Sequence, residues 1–187
     1  MTSRKIVTHC APTLVGIKTA NLFNEHYDNK EELIEEIKNF NKVFREYGIN
    51  MIPLTLKDNR ALIYVYRIKE LQNDFNNYLS KELLNEYGYD SNDIYKSIKH
   101  LSGRMNDYVE FPHEIGLFLG YPPADVKGFI DNDGKNYKCM GYWKAYVDEE
   151  KAIEIFKKYH DCQKNLLNRL NMGFNLKQLV TKTIGGN

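Results

Sequence analysis

An amphipathic helix followed at once by a pair of β-rich runs is the feature that most limits what this chain can become. Leu33, Ile34, Ile37, Phe40, Val43 and Phe44 recur at helical spacing, and Gly48 supplies the stop expected at a helix C-terminus. Residues 49–56 and 61–67 come next, both rich in β-branched and aromatic side chains, with Lys57-Asp58-Asn59-Arg60 between them. That tetrapeptide has turn chemistry, so the two runs pair as an antiparallel hairpin. An isolated hairpin is marginal in water, and the apolar stripe of a helix is the natural cover for one of its faces. Pro53 cannot donate to a strand ladder, which puts the first strand at an edge or at a bulge.

The rest of the chain reads mainly as helix. Ile6 and Val7 fit a short extended lead-in, and residues 5–8 are a candidate fourth strand. Pro12 fits the first turn of a helix carrying Leu14, Val15, Ile17 and Leu22, which puts Cys10 at or just before a helix N-terminus. Helices are predicted over 69–79 and 81–87, then after the cap Ser91-Asn92-Asp93, where Ile94, Ile98, Leu101 and Met105 share a face. A short helix spans 111–119, and Pro123 opens another to about residue 130. Residues 137–147 read as a third strand, kinked at Gly141. Asp148 caps the longest helix, with Ala152, Ile155, Phe156, Tyr159, Leu166, Leu167 and Leu170 inward. A short helix around 176–180 precedes a frayed tail holding Gly185 and Gly186. The predicted architecture is α+β: a small, mostly antiparallel sheet of three to four strands packed by several helices, as a single domain over 1–187.

Bulk chemistry excludes more than it assigns. The formal net charge is +1, from 26 basic and 25 acidic side chains, and no basic stripe stands out. Nucleic-acid binding, which needs a clustered positive footprint, is disfavoured. No apolar run is long enough to span a membrane, and Arg4 and Lys5 are not followed by the apolar region of a signal peptide. Cys10, Cys139 and Cys162 are odd in number and far apart, so a disulfide framework is not expected and a reducing, cytoplasmic setting is. The excess is in aromatics: 14 Tyr and 9 Phe, whose tyrosine hydroxyls want partners at an interface or in a pocket, or else sit on a half-buried rim.

Cys10 leads the candidate site residues. A thiol at a helix N-terminus meets unpaired N–H groups and the positive end of the macrodipole, both of which favour thiolate; Lys18 and His9 add to this. The plainer alternative is a buried, inert cysteine. His113, with Glu114 beside it between Pro112 and Gly116, has the imidazole chemistry of a base, proton shuttle or metal ligand, or caps a helix. Cys10, His9, His113, Cys139 and Cys162 together offer ligands for zinc, an iron–sulfur cluster or haem iron, although no C-x-x-C pair requires one. Trp143, with Tyr137, Tyr142 and Tyr146, is a candidate wall for a planar cofactor, or packs helix against sheet. The glycines at 116, 120 and 128 make no phosphate-binding motif.

Several strings carry a resemblance. His9-Cys10-Ala11-Pro12-Thr13-Leu14 with Gly16-Ile17-Lys18, then Phe111-Pro112-His113-Glu114-Ile115-Gly116, then Leu119-Gly120-Tyr121-Pro122, resemble an uncharacterised bacterial family catalogued as domain of unknown function 3793. Asp125-Val126, Gly128-Phe129-Ile130, Tyr137-Lys138-Cys139, Trp143-Lys144 and Cys162 continue it over nearly the whole chain. The resemblance implies an origin in anaerobic Firmicutes, a cytoplasmic protein, and a flavodoxin-like partner in a redox or iron-poor setting. Relatives carry extra cysteine just after the position of Cys139; Met140 and Tyr142 stand there in this chain, which weakens a cysteine cluster at that turn.

Three functional expectations follow. The first is a thiol- or metal-dependent redox protein, with Cys10 as thiolate or ligand and His113 as base or co-ligand. The second is a non-catalytic binding or regulatory module docking a redox partner such as a flavodoxin. The third is a cysteine-nucleophile hydrolase or transferase, in which Glu114 or Asn21 orients His113.

Overall fold

A computed structural model describes residues 1–107 and 111–180, which form two compact units. The first comprises residues 1–69 and the chain from Tyr159 onward; the second comprises Glu70–Lys158. The Gly185–Gly186 tail lies outside the described residues.

In the first unit, helix α1 (Ser3–Leu14) precedes strand β1 (Ala20–His26) and helix α2 (Lys30–Phe44). A 3-10 turn at Arg45–Tyr47 leads into strands β2 (Ile49–Lys57) and β3 (Arg60–Arg67). The sheet is antiparallel in the order β1-β3-β2, so the hairpin read from the sequence is present and β1 completes it. Lys57 faces Arg60, and Asp58 and Asn59 take φ of 51° and 55°, the left-handed pair of a tight hairpin turn. Pro53 stands on edge strand β2 at a register shift, so both alternatives offered for it hold at once. Phe23, Met51, Ile63 and Val65 share one face and pack with Ile6, Val7, Leu14, Leu33, Ile37 and Phe40. Asn41 of α2 exchanges two hydrogen bonds with the backbone of Met51, at 2.7 and 2.8 Å, satisfying part of the outer edge of β2.

Two expectations at the N-terminus are corrected. Residues 5–8 are helical, and the third strand is β1, not 137–147. Pro12 sits in the last turn of α1 rather than the first, so Cys10 lies inside a helix, away from its N-terminus. A proline there removes the donor for the Thr8 carbonyl. The Gln163 side chain donates to it instead. The end of α1 is closed by Gly16 (φ 80°): its N–H bonds Thr13 O at 3.2 Å and that of Ile17 bonds Pro12 O at 3.0 Å. Arg67, fully buried, then donates to Thr13 O at 2.6 Å, Leu14 O at 2.7 Å and Tyr47 O at 3.0 Å. Its charge stands at the negative end of the helix.

The second unit is built from helices α3 (Ile68–Asn76, from Glu70 onward), α4 (Tyr78–Glu86), α5 (Ile94–Asp107), α6 (Ile115–Phe118) and α7 (Pro123–Asp131). Strands β4 (Cys139–Met140) and β5 (Lys144–Ala145) form a separate two-stranded ribbon. Helix α8 (Glu149–Asn171) begins in this unit and ends in the first, and α9 (Leu176–Leu179) belongs to the first. Asp93 and Asp148 accept from Lys96 N and Lys151 N at 3.0 Å each, the caps read from the sequence. The long strand expected over 137–147 instead turns back on itself: Met140 pairs with Lys144 and Gly141 N–H bonds Trp143 O at 3.0 Å, while just beyond β5 Asp125 takes the N–H groups of Tyr146 and Val147, at 2.8 and 3.0 Å. Phe118 anchors the core, edge-on to Phe75 (5.0 Å) and tilted against Tyr89 (5.2 Å). At Gly116 a side chain would stand 2.7 Å from Val126, so α6 and α7 approach as only glycine allows.

Candidate functional site

A cleft of about 260 Å³ opens in the second unit, lined by Tyr87, Arg104, Phe111, Pro112, His113, Glu114, Ile130 and Asp133. Its size falls just below the roughly 300–1,000 Å³ usual for small-molecule sites. Glu114, at the N-terminus of α6, is 1% exposed. Its Oε1 meets Arg104 Nε of α5 at 2.7 Å and accepts a hydrogen bond from the Tyr89 hydroxyl, also at 2.7 Å. The Arg104 guanidinium lies over the Tyr87 ring, 5.2 Å from its centroid. His100 holds this wall from behind, its Nε2 3.1 Å from Tyr87 O and its ring edge-on to Tyr89 at 4.7 Å. Nearer solvent, the exposed His113 ring sits 4.8 Å from Phe129 and 6.3 Å from exposed Phe111.

The electrostatics follow from burial. The Tyr89 hydroxyl is pushed well above the usual phenol range, first by burial and then by its hydrogen bond to Glu114. Burial, then the charge of Glu114, pushes Tyr87 up too. Both phenols therefore remain neutral donors at physiological pH. Asp133 at the rim pairs with Lys135 at 3.3 Å. Charge in and around the cleft is thus matched: Arg104 against Glu114, and Asp133 against Lys135.

The remaining sequence candidates lie elsewhere. Cys10 has no exposed surface and packs in the apolar core of the first unit. Burial pushes its thiol far up, and the nearby Lys18 charge offsets only part of this. Cys10 does not stand at the N-terminus of α1, where a thiolate would be stabilised. Lys18 is 4% exposed and its ammonium donates to Ala20 O. His9 is exposed, stacked on Phe23 at 5.3 Å; burial first, then Lys5, lowers its pKa. Thr13 donates to Asn21 Oδ1 at 2.6 Å. Cys162 packs half-buried against the same core as Cys10.

Trp143 is 8% exposed, donates to Asp125 Oδ2 at 2.8 Å and meets Phe156 edge-on at 4.6 Å. These contacts are those of a packed side chain. Cys139 is half-buried on β4, its thiol raised by burial and then by Glu149. Among the described residues no group of three or more His, Cys, Asp and Glu could hold a metal ion. No helix of the described residues is long and apolar enough to cross a membrane. His113 and Glu114 are thus the sequence candidates that share a cleft. Arg104, Tyr87 and Tyr89 were missed: Arg104 sat unremarked on an amphipathic helix, and nothing in its spacing from Glu114 announces an ion pair.

The family model described as "Protein of unknown function (DUF3793)" matches residues 6–180. No curated protein and no solved structure matches the chain.

Proposed function

The chain belongs to the DUF3793 family, and we propose that it serves as a binding module whose cleft at Glu114 and Arg104 receives one small organic ligand. The observation that carries this reading is a buried carboxylate, Glu114, held by Arg104 and Tyr89 at the side of an open volume rather than inside a filled core. An ion pair taken out of water is a poor way to gain stability compared with apolar packing. Fixed donors and acceptors beside empty space are, by contrast, what a recognition site requires. Exposed His113 and Phe111 add flat surface at the mouth. We place the protein in a reducing, cytoplasmic setting, on the ground that no disulfide joins its three cysteines.

The test is a screen of single-ring and fused-ring fragments, neutral and charged, by ligand-observed NMR on the full chain. Ile130→Trp, which fills the cleft, serves as the control, with circular dichroism to show that it folds. Fragments that bind the natural chain and are lost from this variant are expected. A library in which no fragment distinguishes the two proteins overturns the reading.

A further inference from the structure

Resting on that cleft reading, we infer that the ligand class is an uncharged, planar nitrogen heteroaromatic of one or two fused rings. It lies against the Phe111 and His113 rings with its polar edge toward Glu114 and Arg104.

Charge is the first argument. Arg104 is matched by Glu114 at 2.7 Å and Asp133 by Lys135 at 3.3 Å. A ligand carboxylate or phosphate would have to take Arg104 from Glu114, leaving a buried carboxylate without its counter-charge. A cationic ligand would set the same conflict with the guanidinium. An uncharged ligand leaves both pairs intact and still finds hydrogen-bonding groups.

The arrangement of surfaces is the second argument. Exposure grades from the floor outward: Glu114 is 1% exposed, the Arg104 side chain 21% and Phe111 53%. Polar groups thus sit deep and rings sit at the mouth. A large aromatic half in water beside a cleft is ready-made stacking surface. Pro112 and Ile130 supply the apolar remainder of the wall. At the floor, Glu114 accepts and the guanidinium donates, a pairing that matches a ring edge carrying both a donor and an acceptor. In size, a cleft of about 260 Å³ suits one or two fused rings better than a whole nucleotide or a peptide.

The experiment titrates adenine, indole, benzoate and inorganic phosphate into the full chain by calorimetry, and repeats adenine with Phe111→Ala. Phe111 is exposed, so this variant keeps its fold, which circular dichroism verifies. Adenine is expected to bind at least tenfold more tightly than indole, which lacks the acceptor edge, and than benzoate, which brings charge. Its affinity is expected to fall tenfold or more in Phe111→Ala and to change little between low and high salt. Tight benzoate or phosphate binding with weak adenine overturns the ligand class while leaving the cleft reading standing. Equal binding of indole and adenine overturns the polar-edge assignment. Failure of all four probes overturns the class as well, and the cleft reading is then judged by its own fragment screen.

Discussion

Arg67 and Arg104 are both arginines withdrawn from solvent, one in each unit, and they answer to different partners. Arg67 donates to backbone, the Thr13, Leu14 and Tyr47 carbonyls, two of them at the C-terminal end of α1. The side chain has no exposed surface. Arg104 meets a side chain, Glu114, beside a cleft. The contrast shows how to separate a buried charge that completes a fold from one that organises a site. The first ends on groups the chain cannot do without; the second ends on groups the chain could have replaced with leucine.

The sharpest way to break this contrast uses the cysteines. If the first unit is closed, Cys10 reacts with iodoacetamide only when that unit opens, at least about a thousandfold more slowly than half-buried Cys139. Mass spectrometry of the modified peptides over time measures this. Comparable rates would return Cys10 to the list of reactive thiols. Next in size is Arg67→Met, which removes three charged hydrogen bonds to carbonyls and is expected to cost about 4 kcal/mol in urea unfolding. Glu114→Gln removes one charge of the second pair and is expected to cost about 2–3 kcal/mol, less because Arg104 retains some solvent. Combining it with Arg104→Met should recover part of that loss. Gly16→Ala forces a side chain into φ 80° and should cost about 1 kcal/mol.

The smallest effect is at His9. The folded chain holds its pKa below the ordinary 6.5, so the unfolded chain takes up the proton first. Its contribution to stability is intact above pH 6.5 and is lost as pH falls through that value toward the folded pKa. An NMR titration of the imidazole should show a midpoint below 6.5. A midpoint at or above it would mean the packing beside Phe23 and Lys5 is not as described.

What the sequence revealed was governed by how local the cause is. The turn at Asp58–Asn59, the stop at Gly48 and the caps at Asp93 and Asp148 depend on a few neighbouring residues, and each was legible. The start of the chain was not. Ile6 and Val7 favour a strand locally, but burial of one face of α1 in the core makes them helical. Pro12 looks like a helix opener, but it stands in the last turn of α1, where Gln163, 155 residues from Thr8, donates to the Thr8 carbonyl. The same rule divides the site. His113 and Glu114 drew notice by residue type and by flanking proline and glycine, while Arg104, Tyr87 and Tyr89 take their meaning only from where Glu114 comes to rest.

The Gln163 contact also bears on the order in which the protein can mature on the ribosome. The first unit is split in sequence: its sheet and first two helices are made early, while Leu166, Leu176, Leu179 and Val180 of the same core come last. The second unit is continuous, and all of its residues have been made before Tyr159 is added. The early hairpin therefore waits for the last part of its apolar cover until those residues are made. A stop introduced just before residue 159 would leave a nascent chain with the cleft sequence complete and the N-terminal core unfinished.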